Sequence, residues 1–529
     1  MPKCLPLLLG RQVTLDAALR SVDDMLLELS YPSKQAALYS HLREQQSGIE
    51  ALVTFHLGLS TTERCRMSET REWMCGYYNV CIPVYVDGWV ACPGKRVLIR
   101  IPLPYKLGEA NDFGNVEEKL RCEAATFVWI KEQCPEVPIP YLWGFGFPSG
   151  QCFTTPENVP CHTRLLWNLR RRILSLLGYP VPCRYISRRY ADTLSKSGYL
   201  IMEYIEGPGL SLLSEHWAGQ DQQQDRQRRA NFFRDLSRII LSLARVPFPR
   251  IGSLVLDHHG TVQLRNRPLN FRLQQLENKS VPTDIDRDTT YDSTEVYYSS
   301  LLACHDNRIL HQANSILSPS DGQAQLAVLA AMRALLPNYA SRRFRDGPFY
   351  FNLIDVHPNN VFVDADWRIK CLIDLEWACV RPVEMLLAPV WVTGKRVDQL
   401  PPGEDLDAYH VVLEEFFDAF DREQSSLSPL QNRDVSLTTD MMKKGFETGL
   451  FWFFHALDNP KVACNLFFQH ILPIFAGSTS EDSVAGFIGY FAQFWKRNSK
   501  EIIKKKLRDR ELYERQLTNV FESDLWTPD

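Results

Sequence analysis

Two short segments of the chain hold the side chains best suited to chemistry. Residues 351–360 read Phe-Asn-Leu-Ile-Asp-Val-His-Pro-Asn-Asn, so Asp355 is followed five positions later by Asn360. Residues 373–377 read Ile-Asp-Leu-Glu-Trp and place Asp374 at the end of a hydrophobic run. One carboxylate can orient a hydroxyl nucleophile, while an amide oxygen and a second carboxylate can hold Mg²⁺ on nucleotide phosphates. The spacing predicts phosphoryl transfer, with Asp355 as the catalytic base and Asn360 and Asp374 as metal ligands.

The same residues also have plain structural interpretations. Asp and Asn are common in turns and caps, and a proline such as Pro358 favours a turn without any chemistry. Asp374 differs, because a carboxylate at the end of a buried strand costs free energy unless it is paired or bound to a cation. We expect His357 to brace the loop through its ring nitrogens, and Glu376 to serve structure rather than catalysis.

Composition narrows the class of protein. The chain has 529 residues, 45% hydrophobic and 23% charged, which is typical of a globular protein with two or three lobes. A net charge of −4 provides no dominant positive field, so we expect no nucleic-acid partner. The 14 cysteines are scattered without a C-x-x-C pair, which indicates reduced thiols in a cytoplasmic protein. No apolar run reaches about 20 residues, so we expect no membrane partner. The sequence leaves the oligomeric state open.

The order of apolar patterns predicts an α+β architecture of two lobes. We predict an N-terminal helical extension over residues 1–65, then a small strand-rich lobe over 66–205 that carries an insertion at 148–197. A large helical lobe over 206–529 would contain both chemical segments. The expected strands and helix of the small lobe lie at residues 80–86, 97–101, 141–147 and 199–204, and at 116–132.

Two charged features of this predicted lobe need an explanation. Arg100 lies midway through an apolar strand, and Glu123 lies on the apolar face of its helix. Because each of these buried charges needs an opposite charge, we expect them to pair. The basic segment 164–172, by contrast, is interpreted as a solvated helix face on the insertion.

Taken together, these motifs resemble the aminoglycoside phosphotransferase and choline kinase group of protein-kinase-like enzymes, in particular its fungal branch. The resemblance covers roughly residues 70–395. The catalytic loop of that group usually reads His-Gly-Asp-Leu-His-Pro-x-Asn, and Asp355, His357, Pro358 and Asn360 match it here. Leu353 and Ile354 stand where the group has its first His and Gly.

The resemblance implies a protein-kinase-like fold, ATP or GTP and Mg²⁺ as cofactors, and a small hydroxylated molecule as the acceptor. It also implies nucleotide contacts from Arg100, its partner Glu123, Gly76 in the phosphate-covering turn, and Glu203 in the strand between the lobes. That turn has a single glycine, and Leu353 removes a histidine that braces the loop. An alternative therefore stays open, in which the protein is a weak or inactive pseudokinase that acts as a binding or scaffold protein.

Overall fold

The computed structural model describes residues 3–190, 194, 197–217, 222–426, 442–477 and 480–523. The fold mixes helix and sheet, which confirms the α+β class predicted from the sequence. In the described part of the chain, no helix combines the length and the apolar character that a membrane crossing requires.

The main sheet is antiparallel and carries the first group of predicted strands. Its strands, in spatial order, are Arg64–Met67, Asn79–Asp87, Arg96–Pro102, Tyr199–Glu203, Leu142–Gly146, Gln151–Thr154 and Ile186–Arg189, and the short strand Met74–Cys75 also pairs with Asn79–Asp87. Two of these strands, Gln151–Thr154 and Ile186–Arg189, lie in the segment predicted as an insertion. That segment therefore extends the sheet at one edge, because its short strands add hydrogen bonds there.

The two faces of the main sheet are covered by different helices. Because side chains alternate along a strand, Val97, Ile99 and Ile101 share one face, which packs against the helices Tyr31–Glu44 and Gln46–Leu57. Leu98 and Arg100 share the other face. The helix Asn115–Gln133, here called the central helix, packs in the same core as Leu98. Alternation thus turns Arg100 toward the side of the sheet where Glu123 lies.

Smaller antiparallel units lie outside the main sheet, and two of them carry the chemical segments. The strands Ser211–Leu212, Val361–Val363 and Ile369–Leu372 form one unit, and Pro247–Phe248, Phe349–Leu353 and Ala378–Arg381 form another. The strands Ser253–Leu256 and Val262–Asn266 form a hairpin, and Cys4–Pro6 with Gln12–Thr14 forms another near the N-terminus.

Helices make up most of the chain outside the sheets. In addition to those already given, they are Leu15–Leu19, Met25–Leu29, Cys161–Leu176, Gln222–Ala244, Phe271–Asn278, Thr294–His311, Pro319–Tyr339, Glu404–Ser425, Leu450–Asp458, Ala463–Leu466, Leu472–Ala476, Glu481–Phe491 and Ser499–Glu522. One of these helices, Phe271–Asn278, has a side-chain cap at its start. Its N-cap is Asn270, whose side chain accepts hydrogen bonds from the backbone N–H groups of Arg272 and Leu273.

The N-terminal segment packs in two places. Its first helices bury Ala18, Met25 and Leu29 against Leu517 and Phe521 of the last helix. Its later helices cover the main sheet, as described above. The first 65 residues are therefore divided between two hydrophobic cores, and strands precede and follow their helices.

Candidate active site

The two chemical segments lie side by side and are joined by backbone hydrogen bonds. Residues 351–360 leave the strand Phe349–Leu353, and residues 373–377 precede the strand Ala378–Arg381 that pairs with it. The N–H of Ile354 donates to the carbonyl of Trp377 at 3.0 Å, and the N–H of Ile373 donates to the carbonyl of Asn360 at 2.9 Å. These bonds fix the two loops to each other at both ends.

Asp355 is the predicted catalytic carboxylate, and its surroundings disfavour its charge. Burial, followed by the negative charges of Glu376 and Asp374, raises the pKa of Asp355 to about 7, against the opposing effect of Arg272 and Arg100. His357 Nε2 lies 3.7 Å from Asp355 Oδ1, and His357 Nδ1 accepts a hydrogen bond from the N–H of Asn359. The histidine therefore braces the loop, as the sequence suggested.

The two predicted metal ligands are held in defined orientations. Asn360 is buried, and its Nδ2 donates to the backbone carbonyl of Asp355 at 2.9 Å, which leaves its Oδ1 outside that bond. Asp374 has a φ of 59°, a left-handed conformation that is uncommon for residues other than glycine. Its Oδ1 lies 2.7 Å from the guanidinium of Arg100, and its side chain is 38% exposed.

These donors suit magnesium better than a softer ion. An amide oxygen and a carboxylate are hard ligands, and Mg²⁺ is commonly bound by one or two carboxylates together with waters and substrate phosphates. Among the described residues, no three His, Cys, Asp or Glu side chains are grouped as a metal site. The donor set thus fits an ion completed by phosphates and water, and does not fit a metal enclosed by protein ligands.

Arg100 and Glu123 meet as predicted, inside a larger buried cluster of charges. Arg100 is 4% exposed, and its guanidinium lies 3.1 Å from Glu123 Oε1 and 2.8 Å from Glu376 Oε2, in addition to Asp374. Burial alone would lower the pKa of Arg100, but the carboxylates of Asp374, Glu123 and Glu376 outweigh it and hold the pKa well above its usual value. This arginine is therefore a fixed cation beside the candidate metal ligands.

A second cation, which was not predicted, lies in this cluster. Lys119 lies one helical turn before Glu123 and is fully buried. Its Nζ donates to Asn79 Oδ1 at 2.9 Å and to Glu123 Oε2 at 3.1 Å, and it lies 2.6 Å from Glu376 Oε2. Asn79 Nδ2 donates to the same oxygen of Glu376 at 2.6 Å. The helical spacing of Lys119 and Glu123 was a signal that could have identified this lysine.

Gly76 lies in the predicted turn, and its N–H donates to the carbonyl of Asn79 at 2.8 Å. The next residues anchor the turn to distant parts of the chain. The ring of buried Tyr78 meets that of Trp377 edge-on at 4.9 Å, and the Tyr78 hydroxyl accepts a hydrogen bond from Gln275 at 3.0 Å. The turn is thus held against the segment that follows Asp374.

Glu203 ends the strand Tyr199–Glu203 and exchanges hydrogen bonds with Tyr141. Its backbone N–H donates to the Tyr141 carbonyl at 2.7 Å, and its Oε2 accepts from the Tyr141 N–H at 3.2 Å. The charge of Glu203 also acts on Cys371, whose thiol pKa is raised above its usual range first by burial and then by this carboxylate. Glu203 therefore lies near the strand that leads to Asp374, and apart from the charge cluster.

A cavity of about 240 Å³ opens beside Asp355. One wall is the apolar side of the helix Gln222–Ala244, and another is the segment 385–391, which ends in Trp391. Its polar lining is a charged group: Asp458 Oδ2 accepts from Arg272 Nε at 3.2 Å, and Asp458 also pairs with Arg381. Half-buried His455 lies beside them, and the loss of solvent around its ring lowers its pKa to about 3.

The joined loops thus bring a carboxylate, an amide and a second carboxylate beside one cavity. The model of the phosphotransferase enzyme family (APH) matches residues 168–422 of the chain. The match confirms the family resemblance that the motifs indicated, and the class of enzyme with it. Glu203, Asp355, Asn360 and Asp374 lie within the matched range, whereas Gly76, Arg100 and Glu123 precede it.

Comparison with solved structures gives a weaker likeness. A macrolide 2'-phosphotransferase type I aligns over 84% of this chain and 96% of its own length, with 12% identity and a TM-score of 0.34. At that identity and TM-score, the alignment does not establish a shared arrangement of elements. No curated protein matches the chain.

Proposed function

We propose that the protein transfers the γ-phosphate of ATP or GTP to a hydroxyl group of a small molecule, with Mg²⁺ as the cofactor. One observation carries the proposal: hydrogen bonds tie Asp355, Asn360 and the segment of Asp374 into one unit beside a cavity. The arrangement would be that of a two-lobed protein-kinase-like enzyme. The main sheet and central helix would belong to the small lobe, and residues 206–529 to the large one.

In this proposal the residues of the chain act by position and charge. Asp355 accepts a hydrogen bond from the acceptor hydroxyl, aligns it with the phosphate, and takes its proton late in transfer. Arg100 is a buried, permanently charged group beside Asp374, and its fork of N–H donors suits phosphate oxygens. Glu123 and Glu376 hold Arg100 in place. Gly76 and Glu203 would contact the nucleotide.

Asn360 Oδ1 and the Asp374 carboxylate would hold the magnesium ion. When bound, the ion would neutralise charge on the nucleotide phosphates. The hydrogen bond from Asn360 Nδ2 to the Asp355 carbonyl supports this assignment, because it directs the nitrogen of the amide to the loop. Buried thiols such as those of Cys304 and Cys379 support a reducing, cytoplasmic setting for the enzyme.

The cavity beside Asp355 would be the acceptor site. Its apolar walls favour a body with little charge over a polycation. In the described part of the chain, Nε2 of His455 and Nε of Arg381 are buried without a hydrogen-bond partner. Such groups favour a ligand that supplies one. The acceptor would thus be an apolar alcohol rather than a polycation such as an aminoglycoside.

The test measures nucleotide consumption against a library of hydroxylated metabolites, apolar alcohols and aminoglycosides, followed by two variants. Asp355→Asn and Asp374→Ala are each expected to lower turnover by roughly 100-fold or more, because general-base catalysis and charge neutralisation each contribute at least that much. Both variants should keep the wild-type circular dichroism spectrum.

Asp366→Asn is the matched control. Asp366 is an exposed residue in the turn between the strands Val361–Val363 and Ile369–Leu372, so the same change of charge should leave turnover intact. Wild-type turnover in Asp355→Asn or Asp374→Ala would contradict the proposed mechanism. A preference for aminoglycosides would contradict only the assignment of the acceptor.

The anchored turn at Gly76 favours a second candidate, a nucleotide-free pseudokinase. Tyr78 fixes this turn to Trp377 and Gln275, which limits its freedom to fold over phosphates. A thermal-shift titration with Mg-ATP separates the two candidates, because a ligand that binds only the folded state raises the melting temperature. The enzyme should show a rise that Asp374→Ala reduces, whereas the pseudokinase should show none.

A further inference from the structure

The helix Cys161–Leu176 exposes the apolar side of its surface. Six large apolar side chains of this helix and of the residue that follows it are between 47% and 87% exposed, although such side chains are usually covered in a folded protein. Here they are called the exposed leucine face: Leu165, Leu166, Leu169, Ile173, Leu176 and Leu177. No residue of the helix is buried.

The exposed leucine face is continuous. At about 100° per residue, its six positions fall within one sector of roughly 120° of the helix circumference. The opposite side of the helix is attached to the protein. Trp167 Nε1 donates to the carbonyl of Cys183 at 3.2 Å, and Arg171 Nε donates to the carbonyl of Pro182 at 2.8 Å. These contacts set the rotation of the helix, so that the apolar sector points outward.

Positive charges border the exposed leucine face. By the same helical geometry, Arg170 and Arg172 lie at its two edges, and both are exposed, as is Arg164. The helix contains no acidic residue. Tyr179, which follows it closely, is 62% exposed and adds an aromatic ring with a polar tip. The helix therefore presents an apolar stripe with arginines along both edges and no acidic residue. Such a stripe is complementary to a layer that has an apolar interior and a negatively charged surface.

We infer that the exposed leucine face binds the surface of a membrane that contains anionic lipids. A helix of this kind lies in the plane of the interface, with its apolar side below the headgroups and its basic residues among them. The inference departs from the sequence-based expectations of a solvated helix and no membrane partner. The expectation of no membrane partner rested on the lack of an apolar run long enough to span a membrane. Binding to the surface of a membrane does not require such a run. It is also independent of the proposed phosphotransferase activity.

The test is flotation of the full-length protein with two kinds of vesicle. One contains phosphatidylcholine alone, and the other contains phosphatidylcholine mixed with phosphatidylserine. The wild-type protein should float with the anionic vesicles and be released as salt is added, because the arginine contribution is screened. It should bind the neutral vesicles at least about tenfold more weakly, since two or three arginines each contribute about fivefold.

Three variants identify the surface. Leu169→Asp/Ile173→Asp should lower binding to anionic vesicles by more than about tenfold, because it removes apolar burial and adds negative charge. Arg170→Gln/Arg172→Gln should lower it by about tenfold or more and weaken its salt dependence. Leu512→Asp is the matched control, because Leu512 is 58% exposed on the helix Ser499–Glu522 and its loss should leave binding unchanged.

Two results would overturn the inference. One is a wild-type protein that does not float with anionic vesicles. The other is flotation that the leucine-face and arginine variants leave unchanged while Leu512→Asp reduces it. Sedimentation equilibrium in the absence of lipid adds a further outcome: a dimer that Leu169→Asp/Ile173→Asp dissociates, without vesicle binding by the wild type, would assign the face to self-association instead. Wild-type thermal unfolding in each variant excludes misfolding as the cause.

Discussion

At the scale of single residues, the buried charges explain why Asp374 differs from its neighbours. Two cations, Arg100 and Lys119, lie in the cluster with three carboxylates. Glu123 and Glu376 are 0% and 4% exposed in their side chains, so they neutralise the two cations within the core. Asp374, with 38% exposure, is the third carboxylate and the one that water reaches. Its charge is therefore the one least needed by the fold, which suits a role toward a metal.

The first prediction concerns Glu376. Burial acts to raise the pKa of Glu376, but Lys119 and Arg100 outweigh it and the pKa is lowered. Glu376→Gln leaves two buried cations short of one carboxylate, so the free energy of unfolding at pH 7 should fall by about 3 to 5 kcal/mol in urea titrations. Because the folded state lowers this pKa, the stabilisation from Glu376 is present above about pH 4.5 and lost as the pH falls further.

Glu69→Gln provides the comparison for this substitution. Glu69 pairs with Arg71 at 3.0 Å, and their side chains are 72% and 80% exposed. Water screens such a pair, so the same change should alter the free energy of unfolding by less than about 1 kcal/mol. Equal losses in the two variants would show that the buried cluster contributes no more than a surface ion pair.

At the scale of elements, one buried histidine joins a helix to three strands of the main sheet. His56 comes from the helix Gln46–Leu57, and its ring nitrogens are hydrogen-bonded to Tyr199 Oη at 2.8 Å and Thr154 Oγ1 at 2.9 Å. The ring lies against Gly144, where a Cβ would overlap its Nδ1. The glycine is therefore required by the close approach of the helix, and not by its own backbone conformation.

The second prediction follows from this contact. Gly144→Ala should lower the free energy of unfolding by about 1 to 3 kcal/mol, because the hydrogen-bonded ring of His56 cannot move away without losing its partners. Urea denaturation at pH 7 measures the change.

Gly486→Ala is the control for the alanine substitution itself. In the helix Glu481–Phe491, a Cβ at Gly486 meets no described atom within 4 Å. Alanine has the higher helix propensity, so this variant should be more stable by about 0.5 to 1 kcal/mol. Destabilisation of similar size in both variants would remove the role assigned to the His56 contact.

At the scale of the whole molecule, buried histidines make the fold sensitive to acid. Burial lowers the pKa of His56 and His455 to about 3 and that of His305 to about 4. These residues lie in widely separated parts of the chain. In the unfolded chain the pKa of a histidine is about 6.5. Below that pH, the unfolded state therefore binds protons that the folded state does not bind. Their contribution to stability is therefore lost as the pH falls from 6.5 toward 3 or 4.

The third prediction isolates one of these histidines. Between pH 7 and pH 5, each should remove about 2 kcal/mol from the free energy of unfolding. Asp355 acts in the opposite direction, since its raised pKa favours the protonated folded state as the pH falls through about 7. His305→Asn should therefore reduce the loss between pH 7 and pH 5 relative to wild type, in urea titrations at both values. An unchanged pH dependence would show that His305 titrates normally in the folded protein.

Much of the site could be predicted because its signals are local. The alternation of Val97, Ile99 and Ile101 predicted a strand, and the position of Arg100 within it predicted a buried cation that needs a partner. Helical spacing placed Glu123 on the inner face of the central helix, and the two were found together. Residue type and spacing alone likewise indicated the set Asp355, Asn360 and Asp374. The catalytic and metal roles of these residues stay predictions.

What the tertiary structure alone decided is which distant groups meet. In the sequence, Lys119 is an ordinary lysine of a helix. Only the folded chain brings Asn79 and Glu376, which are nearly 300 residues apart, into contact with it. The basic segment 164–172 was predicted to be a solvated helix face, and only the structure shows that the helix Cys161–Leu176 also leaves an apolar side uncovered. The physical reason is common to both. Sequence patterns record how each segment divides polar from apolar groups, whereas the burial of a given group depends on segments that only the folded chain brings against it.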